Sequence, residues 1–173
     1  MSGTGQEFDN DAFSRDIAVI RTRLQQTSMM NSASLDTLGE RQREASSKPV
    51  ISIVYADDDE RYRELLRALL RAYPRFRVVG EAADGRQAVA LSIVQRPRVV
   101  LLDVEMPNLD GVEAAAAILA AMPDAMVVLH TGALEAERVA RARDLGLQVV
   151  DKLEINETLD WIAAELDRFV AAP

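Results

Sequence analysis

Val99-Val100-Leu101-Leu102-Asp103, continued by Val104-Glu105-Met106-Pro107-Asn108-Leu109-Asp110-Gly111, is the stretch that decides how this chain folds. Four apolar residues run into one carboxylate, and Pro, Asn, Asp and Gly, the residues that turn a chain, follow it. A short unbroken apolar run bounded by turn residues suits a strand buried on both faces, as in a parallel sheet. Asp103 then stands at the carboxyl end of a central strand, where open α/β sheets place their ligands. Taken alone, an Asp there is better read as the cap of the next turn. The surrounding sequence overturns that reading.

Upstream, Val50-Ile51-Ser52-Ile53-Val54-Tyr55 reads as a strand running into Asp57-Asp58-Asp59-Glu60, and Leu65, Leu66, Leu69 and Leu70 make one broad helical face after it. Phe76 to Glu81 reads as a second strand. Asp84-Gly85 is a turn in which Asp84 is placed to cap a helix through Gln95. Downstream, Gly111 to Ala121 is a third helix closed by Pro123. Ala125 to Thr131 is a fourth strand, Leu134 to Leu145 a fourth helix stopped by Gly146, and Leu147 to Asp151 a fifth strand. Asn156 is placed to cap a last helix carrying Leu159, Ile162, Ala163, Leu166 and Val170 on one side, with Trp161 nearly opposite. Strands alternating with helices call for a doubly wound parallel sheet with helices on both faces and right-handed crossovers, here over residues 49–173.

Residues 1–48 are different. Phe13, Ile17, Ile20 and Leu24 form one narrow stripe on a helix expected over about 11–26, and a polar linker follows to Lys48. The stripe does not continue far enough for a long coiled coil. A lone helix of this length is marginal in water, so docking on its own domain, pairing with a second copy and disorder remain three open readings.

The net charge of −8 argues against non-specific binding to nucleic acid or an anionic membrane, both of which need a basic face. With no cysteine there is neither a disulfide framework nor a thiol nucleophile, and one histidine builds no cluster. The amino terminus is acidic and polar rather than basic then apolar, and no apolar run is long enough to span a bilayer. A cytoplasmic protein is expected.

In this arrangement the polar residues that end the strands gather at one edge: Asp57 and Asp58 after strand one, Asp103 on strand three, Thr131 on strand four and Lys152 after strand five. Clustered carboxylates raise one another's pKa unless a cation is present. Oxygen-only ligands suit Mg²⁺, which readily takes a phosphoryl oxygen. A hydroxyl and an ammonium opposite the metal can bind the other phosphoryl oxygens, so the set supports phosphoryl transfer onto a carboxylate.

These pieces, together with Ala56-Asp57-Asp58, Arg63 to Leu70, Val78-Val79-Gly80-Glu81-Ala82-Ala83-Asp84-Gly85, Leu101 to Pro107 and Leu109-Asp110-Gly111, resemble the receiver domain of two-component response regulators over residues 50–170. The resemblance implies a flavodoxin-like five-stranded sheet of order 2-1-3-4-5, preceded here by the helical extension. It implies Asp103 as phosphoacceptor, and Mg²⁺ held by Asp57, Asp58, Asp103 and the backbone carbonyl of Glu105. Thr131 and Lys152 would bind the phosphoryl oxygens. A histidine kinase or phosphotransfer protein is the implied donor, with the receiver catalysing its own phosphorylation and dephosphorylation.

The chain departs from that pattern in three places. Leu153-Glu154 follows Lys152, Asp151 precedes it as a negative neighbour able to draw the ammonium away, and Val149 stands where a switch aromatic is usual. His130, beside Thr131, is read as making a local hydrogen bond, and Asp59 as capping the first helix. No helix-turn-helix is visible, so a stand-alone receiver is expected to signal through protein contacts, not DNA. Its surfaces are the helix 4–strand 5–helix 5 face with Trp161, or the amino-terminal helix, and a homodimer is one possible outcome. The rival reading is a degenerate receiver serving as a phosphorylation-independent scaffold.

Overall fold

The computed structural model describes residues 48–132 and 136–171, all within the second of two units, 1–44 and 45–173. The stripe at Phe13, Ile17, Ile20 and Leu24, and the linker up to residue 47, lie outside the described residues. In order the elements are β1 (Ile51–Ala56), α1 (Glu60–Ala72), β2 (Phe76–Ala82), α2 (Gly85–Gln95), β3 (Val99–Asp103), α3 (Gly111–Ala121), β4 (Met126–Thr131), α4 (Ala136–Asp144), β5 (Gln148–Asp151) and α5 (Ile155–Ala171). A single turn of 3₁₀ helix, Lys152–Glu154, joins β5 to α5. The strands form one parallel sheet of order β2-β1-β3-β4-β5. Among the described residues no helix is long and apolar enough to cross a membrane.

Central strand β3 is buried at every residue because its side chains feed two cores in alternation. Val99 and Leu101 point to one face with Ile53, Tyr55, Leu66, Leu70, Leu159 and Ile162, the faces of α1 and α5. Val100 and Leu102 point to the other with Val54, Ala88, Val112, Ala115 and Ile118, where α2, α3 and α4 pack. Each large side chain so buried contributes about 1.5–3 kcal/mol of transfer free energy. On α1 the leucine face holds as expected, with Leu66, Leu69 and Leu70 buried, Leu65 packed beside them and Tyr62 added one turn earlier. On α2 the inward face is made of small residues, Ala88 and Ser92, with Val89 and Leu91 packed beside them, while Ile93 and Val94 are exposed.

Caps and close approaches position α2 and α3. The Asp84 carboxylate accepts from Gln87 N–H at 2.8 Å, and Asp110 forms a reciprocal capping box with Glu113. The glycine after each cap is needed for proximity. A Cβ on Gly85 would meet the Leu109 carbonyl oxygen at 2.1 Å, and one on Gly111 the Asp103 carbonyl oxygen at 2.0 Å. The second contact presses the start of α3 against the end of β3. Asn108 turns the loop between them with φ of 67°, a left-handed conformation that Asn tolerates.

Several boundaries differ from the sequence expectation by a residue or so, and two of these differences change the place of a named residue. Val50 is exposed and precedes β1, which extends instead to Ala56. Asn156 does not cap α5: the helix begins at Ile155, directly after the 3₁₀ turn, and Asn156 Oδ1 accepts from the Tyr73 hydroxyl at 3.2 Å. Asp151 caps the 3₁₀ turn, accepting from Leu153 N–H at 2.8 Å. Asp59 caps α1 as expected, accepting from Arg61 N–H at 2.9 Å.

Candidate functional site

Strand register brings the polar residues to one edge. Ala56 lies beside Leu102, so Asp57 and Asp103 emerge level from β1 and β3, and Asp103 lies beside His130 at the end of β4. Thr131 pairs with Asp151, which puts Lys152 just beyond the end of β5. Asp57 and Asp103 are buried and Asp58 is exposed, and one carboxylate oxygen from each of the three lies within 4.8 Å of the others.

Lys152 Nζ bridges the two buried carboxylates, 2.8 Å from Asp57 Oδ2 and 2.9 Å from Asp103 Oδ2. It lies 4.7 Å from the centre of the Tyr62 ring, a cation–π contact, and the Tyr62 hydroxyl donates to the Lys152 carbonyl at 3.3 Å. Asp151 does not draw the ammonium away, because its own carboxylate is occupied by the 3₁₀ turn. The loop after β1 is held by Asp59 N–H donating to Asp57 Oδ1 at 3.0 Å. Arg63 Nη1 also donates to the carbonyls of Asp57 and Asp58, at 2.8 and 3.1 Å. Arg63 and Tyr62 belong to this edge although the sequence reading gave neither a role. Their signal was position, on the first turn of the helix that follows the acidic loop.

One ammonium does not answer two buried anions. Burial pushes Asp103 up to about 7, with Lys152 opposing the shift and Asp57 adding to it. Burial also raises Asp57 against the pull of Lys152. Burial works against the Lys152 ammonium too, but the attraction of Asp103 and Asp57 outweighs it and the pKa is raised. The edge is therefore short of positive charge, and its donors are all oxygens, which fits a hard divalent cation such as Mg²⁺. Glu105 N–H bonds the Asp103 carboxylate, while the Glu105 side chain turns outward to Arg138. Thr131 is buried at the strand end.

His130 differs from expectation. It is fully buried, neither ring nitrogen makes a hydrogen bond of normal geometry, and Nε2 stands 3.7 Å from Asp57 Oδ2. Burial holds its pKa well below the usual imidazole value, Lys152 adds to that, and the Ala56 carbonyl only partly opposes it. The ring packs against Tyr62 with centroids 5.4 Å apart. Strand alternation carried this signal: His130 follows Val128 by two and so shares its face of the sheet.

Comparison with known proteins agrees with this geometry. The family model described as response regulator receiver domain matches residues 53–158. A protein-glutamate methylesterase/protein-glutamine glutaminase of Anaeromyxobacter dehalogenans is 41% identical over 104 residues, 60% of this chain and 30% of that protein. The uncharacterized transcriptional regulatory protein YxjL of Bacillus subtilis is 36% identical over 121 residues, 68% of this chain and 55% of its own. The chain thus spans a third to about half of these curated relatives. The crystal structure of the response regulator domain of Thermotoga maritima CheB superimposes with a TM-score of 0.59 at 26% identity, covering 72% of this chain and 98% of that one. Sheet order, strand-end chemistry and these matches agree, and the chain belongs to the response regulator receiver domain family.

Proposed function

We propose that this chain is a phosphorylatable receiver, in which Asp103 takes a phosphoryl group from a phosphohistidine on a histidine kinase or phosphotransfer protein. The observation that carries the proposal is the Lys152 ammonium shared between buried Asp57 and Asp103, with Asp58 beside them. Such a cluster is electrostatically incomplete by itself and is completed by a cation together with a phosphoryl group.

In the transfer, an oxygen of the ionised Asp103 carboxylate attacks phosphorus. An O–P bond forms as the P–N bond to the donor imidazole breaks, and its electron pair leaves on the imidazole nitrogen. Lys152, already 2.9 Å from Asp103, turns its ammonium onto a phosphoryl oxygen, and the Thr131 hydroxyl donates to another. Asp57, Asp58 and Asp103, with the Glu105 carbonyl, would hold Mg²⁺, whose charge offsets that of the carboxylates and the phosphoryl oxygens. Arg63 keeps the loop carrying Asp57 and Asp58 in place.

The signal passes to another protein. Trp161 on α5 and Leu145 after α4 are exposed beside β5, 37% and 47% accessible, which offers an apolar anchor on that face. One observation favours the rival scaffold reading: Val149 is partly buried in the core where the family resemblance calls for a switch aromatic, so no aromatic ring is present in β5 to follow Thr131.

Intact mass after incubation with Mg²⁺ and a small phosphodonor decides between the two. The phosphorylatable receiver gains one phosphoryl group, and loses that gain in Asp103→Ala or with a chelator. A mass unchanged under conditions where Mg²⁺ also fails to bind would leave the scaffold.

A further inference from the structure

At this edge His130 is fully buried and neither ring nitrogen makes a hydrogen bond of normal geometry, although the Ala56 carbonyl also acts on the ring. A fully buried imidazole is neutral and carries one N–H donor and one acceptor nitrogen. Leaving both without a hydrogen bond of normal geometry costs free energy, and native proteins rarely tolerate it without a compensating role. Nε2 faces Asp57 Oδ2 at 3.7 Å, just beyond hydrogen-bond length, and that oxygen, itself without a hydrogen bond of normal geometry, is ion-paired with the Lys152 ammonium at 2.8 Å. Tyr62 backs the ring and also lies under Lys152, so the three side chains form one packed unit behind Asp57.

The occupant of Asp57 Oδ2 changes when the site is loaded. A divalent cation between the carboxylates repels the ammonium, and a phosphoryl group attracts it, so both draw Lys152 away from Asp57. We propose that His130 is then a positioning residue: its Nε2–H replaces the Lys152 ammonium as donor to the inner oxygen of Asp57, and holds that carboxylate aimed at the cation. The inference rests on the phosphoryl-site reading above and adds to it a residue of this chain's own. Groups that fix a metal-binding carboxylate in this way change metal affinity by roughly 10–100-fold when removed.

His130 is the only histidine in the chain, so its ring nitrogens can be followed by ¹⁵N NMR without assignment ambiguity. The full chain is titrated with Mg²⁺ alone, then with Mg²⁺ and beryllofluoride, beside His130→Leu and His130→Gln. The Gln amide keeps a donor near the Nε2 position. On loading, the wild-type Nε2–H signal should sharpen and move downfield as it gains an anionic acceptor. His130→Leu should melt no lower than wild type in chelator, having lost two nitrogens without hydrogen bonds of normal geometry, yet bind Mg²⁺ about tenfold more weakly, while His130→Gln stays near wild type. A merely space-filling histidine gives the reverse pattern, a changed melting temperature with unchanged Mg²⁺ affinity, and that result overturns the inference. Ring signals that ignore Mg²⁺ in a wild-type protein that does bind it overturn it too. A wild type that binds no Mg²⁺ removes the phosphoryl-site reading itself, which the isothermal titration of the wild type alone reveals.

Discussion

Glu81 and Asp103 are carboxylates near the carboxyl ends of strands in one sheet, and they differ in how their charge is answered. Glu81 on β2 receives Arg67 at 2.7 and 2.9 Å, Arg63 Nε at 3.3 Å and the Tyr55 hydroxyl at 2.7 Å. Burial works against its charge, but the Arg67 and Tyr55 hydrogen bonds prevail and its pKa is lowered. Asp103 shares a single ammonium with Asp57 and is raised to about 7. A cluster supplied with more donors than it needs serves the fold, tying α1 to β2. A cluster supplied with fewer leaves buried charge unanswered, and that shortage is what supports the phosphoryl-site proposal.

Lys152→Met is the severest way to break the contrast. It leaves two buried carboxylates without their cation, and at pH 8 in chelator the fold should lose about 2–4 kcal/mol. At pH 5 Asp103 is protonated and the loss should be much smaller. Chemical denaturation at the two pH values measures the difference. Mg²⁺ should bind the variant more tightly than wild type, because the competing ammonium is gone.

The pH profile of the unaltered protein sharpens the contrast next. A carboxyl whose folded pKa is raised contributes stability below its unfolded value, and that contribution is lost as pH climbs toward the folded value. The Asp103 contribution should therefore fall between about pH 4 and about 7 in chelator, and saturating Mg²⁺ should reverse the fall. Asp103→Asn should flatten the slope and add about 1–2 kcal/mol at pH 8, part of the gain being offset because Lys152 loses a partner. Because the metal binds ionised carboxylates, Mg²⁺ affinity should rise with pH and level off above about 7. A flat affinity across that range would show that Asp103 is already ionised in the metal-free protein.

How much of this was legible in the chain follows from what each signal depends on. The apolar run at 99–102 and the turn residues after it gave β3, and the same grammar gave the other four strands to within a residue or two. Asp57, Asp58 and Asp103 could be singled out because each ends or follows a strand, and register brings their oxygens together. Lys152 was placed in the site but misjudged in its surroundings, since the 3₁₀ turn that occupies Asp151 leaves no trace in periodicity. The helical expectation for Asn156 failed for the same reason. His130 was read as a strand-end residue with a local partner. Its true condition depends on Tyr62 and Asp57 closing around it, which are contacts distant in sequence.

The satisfied cluster supplies the smaller effects. Glu81→Gln should cost about 1 kcal/mol at neutral pH, because Arg67 is largely solvated and its share is screened, leaving chiefly the Tyr55 hydroxyl and Arg63 to lose a charged acceptor. Its pH signature runs opposite to that of Asp103. A carboxyl with a lowered pKa contributes above its unfolded value and loses that contribution on acidification, so wild type and Glu81→Gln should converge as the pH falls below the ordinary carboxylate range. Phosphorylation by a small donor should be unchanged, since Arg63 keeps its bonds to the Asp57 and Asp58 carbonyls without Glu81. Arg138→Ala removes the exposed pair with Glu105, and stability should stay within about 0.5 kcal/mol. If Glu81→Gln instead slowed phosphorylation with the fold intact, the two clusters would be one network joined through Arg63, and the division between them would have to be given up.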